Sequence, residues 1–244
     1  MRYFVAPNGT GTSTNHWNTG VIPGDLAMTV SQILANPSPT GDEIWAVGDN
    51  NVLGAQYQGV YNLGGSPLVI NQNTAPLSIY GGCAGWETYL CQRNANIVCN
   101  DATIPDFFLH PSILDGGGTN RVIEMLQTNT CRIDGFVVRN GNAATIGNGG
   151  GIDVSQSNNI LFENMVVMNN QTAGEAGGIN IENTENVHIR NSIFFNNSAI
   201  AGGLFLNDCK DAALVNVLFI ANYSRDGDGT VNGLQRLVIN TLFG

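Results

Sequence analysis

The most constraining feature of this sequence is a repeat running from Gly150 to Asn240. Gly150-Gly151-Ile152 recurs as Gly177-Gly178-Ile179, as Gly202-Gly203-Leu204 and, weakened, as Gly229-Thr230-Val231. Fourteen residues after each of the first three leading glycines stands Asn164, Asn191 or Asn216, and the fourth unit reaches Asn240 after eleven. Six residues beyond the first three come Asn170, Asn197 and Asn222. Length changes are absorbed after this second asparagine, so each unit has a rigid part and a variable loop.

Units spaced 24 to 27 residues apart, carrying short apolar alternations of period two, are strands and turns. Ile152 and Val154, Ile179 and Ile181, Leu204 and Leu206 alternate after the glycines. Later in the unit Ile160-x-Phe162, Val187-x-Ile189, Ala212-x-Leu214 and Leu237-x-Ile239 do the same. Strands this short cannot bury an apolar face alone, so neighbouring units must stack as turns of a solenoid. The predicted fold is all-β, a right-handed parallel β-helix. Stacking places equivalent side chains about 4.8 Å apart, which predicts an amide ladder of Asn164, Asn191, Asn216 and Asn240 at a bend. Gly135, 29 residues before Asn164 and in strand parity with it, takes the ladder position one coil earlier.

Upstream, Tyr3 to Gly9 reads as an entry strand ended by a turn. Gly24 to Asn36 carries Leu26, Val30, Ile33 and Leu34 at helical spacing and stops before Pro37. A short helix there would shield the open end of the first coil, as a solenoid requires. The expected organisation is one continuous domain, with residues 1–76 as cap and first irregular coils and 77–244 as the β-helix. Alternation is lost between Cys83 and Phe108, which predicts a long excursion packed on the side of the solenoid. The apolar last strand, with nothing after it to act as a cap, carries the expectation of a truncated chain or of end-to-end stacking on another molecule.

A charged fraction of 11% with 31 glycines disfavours helical folds. A net charge of −10 without any Lys/Arg run makes nucleic acid and anionic membrane surfaces poor partners. No stretch reaches the roughly 18 to 20 apolar residues that span a bilayer. Met1-Arg2-Tyr3-Phe4 does not open a secretory signal, so the sequence either starts at a mature boundary or is not exported. Cys83, Cys91 and Cys99 lie eight residues apart and make one local disulfide a candidate; the alternative is that these, like Cys131 and Cys209, are small buried hydrophobes. With three histidines and no Cys-x-x-Cys, a zinc site is not expected.

The repeat units resemble those of secreted or surface β-helix proteins of the polymorphic outer membrane protein type. The resemblance rests on Gly177-Gly178-Ile179, Gly202-Gly203-Leu204, Phe194-x-x-Asn197 and Phe219-x-x-Asn222, with Val167-x-x-Asn170 as a departure. The run Tyr80-Gly81-Gly82-Cys83-Ala84-Gly85-Trp86, followed by Ile113-Leu114-Asp115-Gly116 and Ile133-Asp134-Gly135-Phe136, is similar to bacterial members of this kind. The resemblance implies the fold and an extracellular or cell-surface setting without one activity, since such repeats occur in adhesins, autotransporter passengers and other surface proteins.

Parallel β-helices also carry polysaccharide lyases and glycosidases, whose chemistry would sit in the outward columns. A glycosidase needs two carboxylates about 5 to 10 Å apart. The columns Asp153, Asn180, Phe205 and Ser155, Glu182, Asn207 and Glu163, Arg190, Val215 stack no two acids; Glu163 and Arg190 read instead as a surface ion pair. Asp226-Gly227-Asp228 resembles half of a calcium loop but lacks further ligands, so calcium at Asp226 and Asp228 is a weak candidate and no other cofactor is expected. Asp115, Asp134 and Arg139 form a candidate polar ligand site. Trp86 and Tyr89, with Trp45, form a candidate sugar-stacking platform. The leading reading is a non-catalytic module binding a surface glycan or protein; the alternative is a carbohydrate-active enzyme or carbohydrate-binding module.

Overall fold

The computed structural model of the chain describes residues 1–7, 9, 25–48, 59–63, 65–83, 85, 90–93, 110–143, 147–225, 231–232 and 237–243, the last two ranges and residues 91–92 as backbone. Every pairing between its strands is parallel and advances by one coil. Ile152–Ser155, for example, lies between Ile123–Leu126 and Ile179–Glu182, with Ile152 opposite Ile123 on one side and Ile179 on the other. Twelve described strands form one sheet, which turns a corner within each coil, and six form a second. The result is the right-handed parallel β-helix that the repeat predicts, with three side faces. The first is built from strands such as Leu77–Cys83, Asn129–Asp134 and Asn158–Glu163, and the second from Ser112–Asp115, Phe136–Arg139 and Val166–Met168. The third is the sheet of Leu68–Asn71, Ile123–Leu126, Ile152–Ser155, Ile179–Glu182 and Leu204–Asn207. Glu185–Phe195 and Ala212–Ile220 each run through the first face and, past the corner, the second.

Period-two alternation sends Ile152, Val154, Ile160 and Phe162 inward, where none is more than 1% exposed, and their equivalents in the next coils follow. Each such burial contributes about 1.5–3 kcal/mol. Phe194 and Phe219 stack in successive coils with ring centroids 4.7 Å apart. The helix spans Leu26–Ala35, slightly shorter than Gly24 to Asn36, because Asp25 is its N-cap and accepts the Met28 N–H at 2.8 Å. Leu26, Val30 and Ile33 are buried against the strands of the first coils, so the helix caps the core as expected. Among the described residues no helix is long and apolar enough to cross a membrane.

Each coil turns at corners where the backbone enters the left-handed region. Gly135, Asn164, Asn191 and Asn216 share one corner, with φ between +47° and +80°. Asn140, Asn169, Asn196 and Ala221 share another, and Gln72, Gln127, Gln156, Asn183 and Asp208 a third. Glycine and short polar residues tolerate this region best, which is why asparagine recurs and why Gly135 can replace it.

The amide ladder is not where the first asparagines placed it. Asn216 Nδ2 donates to Asn191 Oδ1 at 2.9 Å, one true rung. Asn164 breaks the series: the coil before it offers glycine at the corner, and its Nδ2 turns to the buried Asp134 carboxylate at 2.8 Å. Asn240 is paired with Val215, and Asn216 is the extra residue of a bulge, because the last unit is one residue shorter there. The continuous ladder is built by the second asparagines. Asn222 Oδ1 accepts from Asn197 N and Nδ2 at 3.1 and 2.9 Å, and Asn197 Oδ1 accepts from Asn170 N and Nδ2 at 3.1 Å each. Asn170 Oδ1 accepts from Gly141 N at 2.8 Å. The remaining amide protons go to the Val138, Val167 and Phe194 carbonyls. The glycine pairs face this ladder: a Cβ on Gly178 would run into the Gly203 carbonyl and the Phe194 ring.

Asn197 is fully buried and bonded on both sides. Replacing it by alanine removes the acceptor of the Asn170 backbone and side-chain amides and a donor to the Val167 carbonyl, while Asn222 Oδ1 keeps the Asn197 backbone N–H, at a cost of about 1–3 kcal/mol for each group left unsatisfied. Urea unfolding of Asn197→Ala is therefore expected to show a loss of at least one such increment, whereas Asn191→Gly, which removes an exposed rung at a left-handed corner that glycine can adopt, changes the midpoint less.

Candidate functional site

Each face of the solenoid carries its own chemistry. On the first, the outward side near the N-terminus is covered. Phe4, Trp45, Tyr80 and Cys83 form a small buried cluster against which Leu90 packs, so part of the Cys83 to Phe108 excursion does lie on the solenoid's side. Trp45 is 0% exposed, in edge contact with Phe4 at 5.7 Å and with the Arg2 guanidinium 4.0 Å from its ring centroid. It is therefore part of a packed cluster and not of a sugar-stacking platform; Trp86 and Tyr89 lie outside the described residues.

Arg93 pins the 3₁₀ turn Leu90–Arg93 to the solenoid. Its Nη2 lies 3.1 Å from Asp134 Oδ2 and its Nη1 donates to the Gly81 carbonyl at 3.0 Å. Asp134 is wholly buried and also receives Arg132 at 2.7 Å and Asn164 at 2.8 Å. Arg132 reaches on to Glu163 at 2.8 Å. The Glu163–Arg190 pair is thus replaced: Glu163 pairs backwards with Arg132, and Arg190 Nη2 meets His188 Nδ1 at 2.9 Å. The reason is that Asp134 already draws Arg132 across to Glu163's side.

Of the three residues expected to form a polar site, the structure joins two. Asp115 and Arg139 are register partners with an ion pair of 2.8 Å, and Asn140 Nδ2 and Gly117 N also donate to Asp115. Asp134 is not with them, being buried under Arg93. Beside the pair lies a shallow cleft of ≈ 370 Å³ lined by Gly117, Gly118, Asn140, Gly141, Asn169 and Gln171. Burial alone would raise the Asp115 carboxyl, but its Gly117, Arg139 and Asn140 hydrogen bonds outweigh that and hold it below the ordinary aspartate value.

The third face holds an acid pair that lies outside the three outward columns read from the repeat. The Asp153 column continues backwards to Glu124, its direct register partner, so two acids do stack. Aligning Val122-Ile123-Glu124-Met125 with Gly151-Ile152-Asp153-Val154 would have revealed it. Arg121 Nη1 contacts Asp153 Oδ2 and lies 3.4 Å from Glu124, and Arg121 Nη2 donates to the Asn148 carbonyl at 3.0 Å. Asn180 Nδ2 bridges Asp153 Oδ1 at 2.8 Å and Glu182 Oε1 at 3.1 Å. Burial raises the Asp153 carboxyl above the ordinary value, with Glu182 and Glu124 adding to it against the opposing Arg121 and Asn180. A raised acid beside a second carboxylate is the pattern of an acid–base pair. Here, however, both Asp153 oxygens are taken, one by Arg121 and one by Asn180, so in this arrangement it braces neighbouring coils.

Among the described residues no group of three or more His, Cys, Asp or Glu is arranged to hold a metal ion; Asp226 and Asp228 lie outside them. Cys83 is buried with its Sγ 3.9 Å from the Tyr80 carbonyl, while Cys99 and the Cys91 side chain lie outside the described residues. Cys131 and Cys209 are buried thiols, and burial pushes Cys131 to about 12.

The second face is apolar. Ile113, Val137, Val166, Ile193 and Leu218 fall in one outward column, and Met168, Phe195 and Ile220 in the next, beyond Asp115 and Arg139. Phe195 and Ile220 are 38% and 37% exposed.

No protein-family model matches the sequence, and no curated protein matches it. Among solved structures, the crystal structure of pectate lyase Pel9A is similar over 99% of this chain and 60% of its own length, with a TM-score of 0.50 and 16% sequence identity. The likeness is one of fold, that of a parallel β-helix, and the chain spans only that 60% of its neighbour.

The lowered Asp115 carboxyl contributes stability that is present above the unfolded-state aspartate value and is lost as pH falls through the folded one. Thermal melts in an acid series are expected to show Asp115→Asn converging with the wild type as pH falls. A gap that persists unchanged into acid contradicts the assignment.

Proposed function

We propose that this chain is a non-catalytic extracellular or cell-surface β-helix module, of the adhesin, stalk or assembly kind, that engages its partner through the side of the solenoid. The observation that carries the reading is the apolar second face, whose outward aliphatic and aromatic side chains run through successive coils. Half-buried aliphatics in successive coils around the exposed Phe195 and Ile220 make an apolar surface of the kind that marks interaction sites. The surface setting draws support from the repeats similar to those of polymorphic outer membrane proteins. Asp115 and Arg139 close one end of the face and offer a partner, protein or glycan, a charged and hydrogen-bonding edge.

A second reading, a carbohydrate-active enzyme, is favoured by one observation, the raised Asp153 carboxyl next to Glu124. The neighbour's name, pectate lyase, belongs to the same class of chemistry, but at 16% identity it lends fold alone. The fully bonded Asp153 oxygens weigh against it. Incubation with acidic and neutral polysaccharides, with and without Ca²⁺, is expected to release neither reducing ends nor unsaturated products. Turnover that disappears in Asp153→Asn or Glu124→Gln and survives in Phe195→Glu would replace the proposal by the enzyme.

A further inference from the structure

We infer that the occupant of the apolar second face is a second copy of this chain, giving a side-by-side dimer of solenoids. The inference rests on the binding reading above and names its partner. Two observations, charge and periodicity, favour a copy, and a third shows that the face has the anatomy of an interface.

The first is charge. The chain carries a net charge of −10, so two copies repel each other unless they meet where charge is balanced. The outward positions of the second face from Ser112–Asp115 to Ala212–Ile220 include one acid and one base, Asp115 and Arg139, already paired at 2.8 Å. The third face instead presents Glu124, Asp153 and Glu182 around the single Arg121. Copies joined through their second faces turn these acids away from each other, at separations beyond the Debye length of about 8 Å.

The second is periodicity. Each copy offers apolar columns whose repeat is the spacing between parallel strands, about 4.8 Å. Two identical faces share that repeat without adjustment, so their side chains can interdigitate as in a sheet-on-sheet core about 10 Å thick.

The third is the distribution of polarity along the face. Val166, Met168, Ile193, Phe195, Leu218 and Ile220 lie together, while the Asp115–Arg139 pair is at one end. An aromatic anchor among aliphatics with charge confined to the edge is the anatomy of a stable interface.

Sedimentation equilibrium of the full chain over a wide concentration range tests this. The wild type is expected at twice the 25.9 kDa chain mass. Phe195→Glu/Ile220→Glu is expected at the single-chain mass with an unchanged circular dichroism spectrum. Val215→Glu, on the first face at a comparable 36% exposure, keeps the dimer. A wild type at 25.9 kDa throughout overturns the inference and leaves the face to a chemically different partner. So does a dimer that persists in the double variant. Mass and polysaccharide turnover are separate readouts, so the dimer can fail while the non-catalytic reading stands, and the reverse.

Discussion

A coil of this solenoid can close only if its backbone turns through left-handed φ at its corners and finds partners for the polar groups it buries there. The first requirement selects glycine and asparagine, as at Gly135, Asn164, Asn191 and Asn216. The second is met by the ladder through Asn170, Asn197 and Asn222, in which each side-chain oxygen takes two protons from the coil before it where an asparagine stands there. Opposite the ladder, glycine pairs bring the coil backbones so close that no Cβ fits at Gly178. The apolar core is correspondingly permissive, since any inward aliphatic of suitable volume fills it; the corners are not.

This division explains what the sequence makes legible. The parallel β-helix, its inward residues and its capping helix follow from spacing and alternation, which are local. Which asparagine forms the ladder does not follow from spacing, because both recur at the same interval. The distinction is steric: Asn164 occupies a left-handed corner with its side chain toward Asp134, whereas Asn170 follows the corner at Asn169 and points inward. Phe194-x-x-Asn197 contains the signal, a buried ring and a buried amide on either side of a corner. Arg93 was beyond reach, since it comes from a stretch without periodicity and finds Asp134 41 residues away. Glu124 was within reach, one coil before the column in which acids were sought.

The three faces show how one repeat carries different chemistry without altering its frame. Inward positions and corners are held by packing and hydrogen bonding, and outward positions are free to vary from coil to coil. Acids gather on one face around Arg121, a buried ion network fixes the Leu90–Arg93 turn on another, and aliphatics with Phe195 occupy the remaining one. Asp153 illustrates the difference between a perturbed acid and a catalytic one. Burial raises it, yet its two oxygens are committed to neighbouring coils. Among the described residues the apolar face presents Phe195 and Ile220 to solvent, and the proposed function resides there.

The fold depends most on the corner ladder, and amide hydrogen exchange measured residue by residue by NMR tests it most directly. Gly141, Asn170 and Asn197 donate their backbone protons to ladder oxygens inside the solenoid. Their exchange is expected only through global unfolding, with one shared and highest protection across the coils. Rapid or unequal exchange at these three amides, with slower exchange elsewhere in the repeat, would contradict the ladder as the element that holds successive coils together.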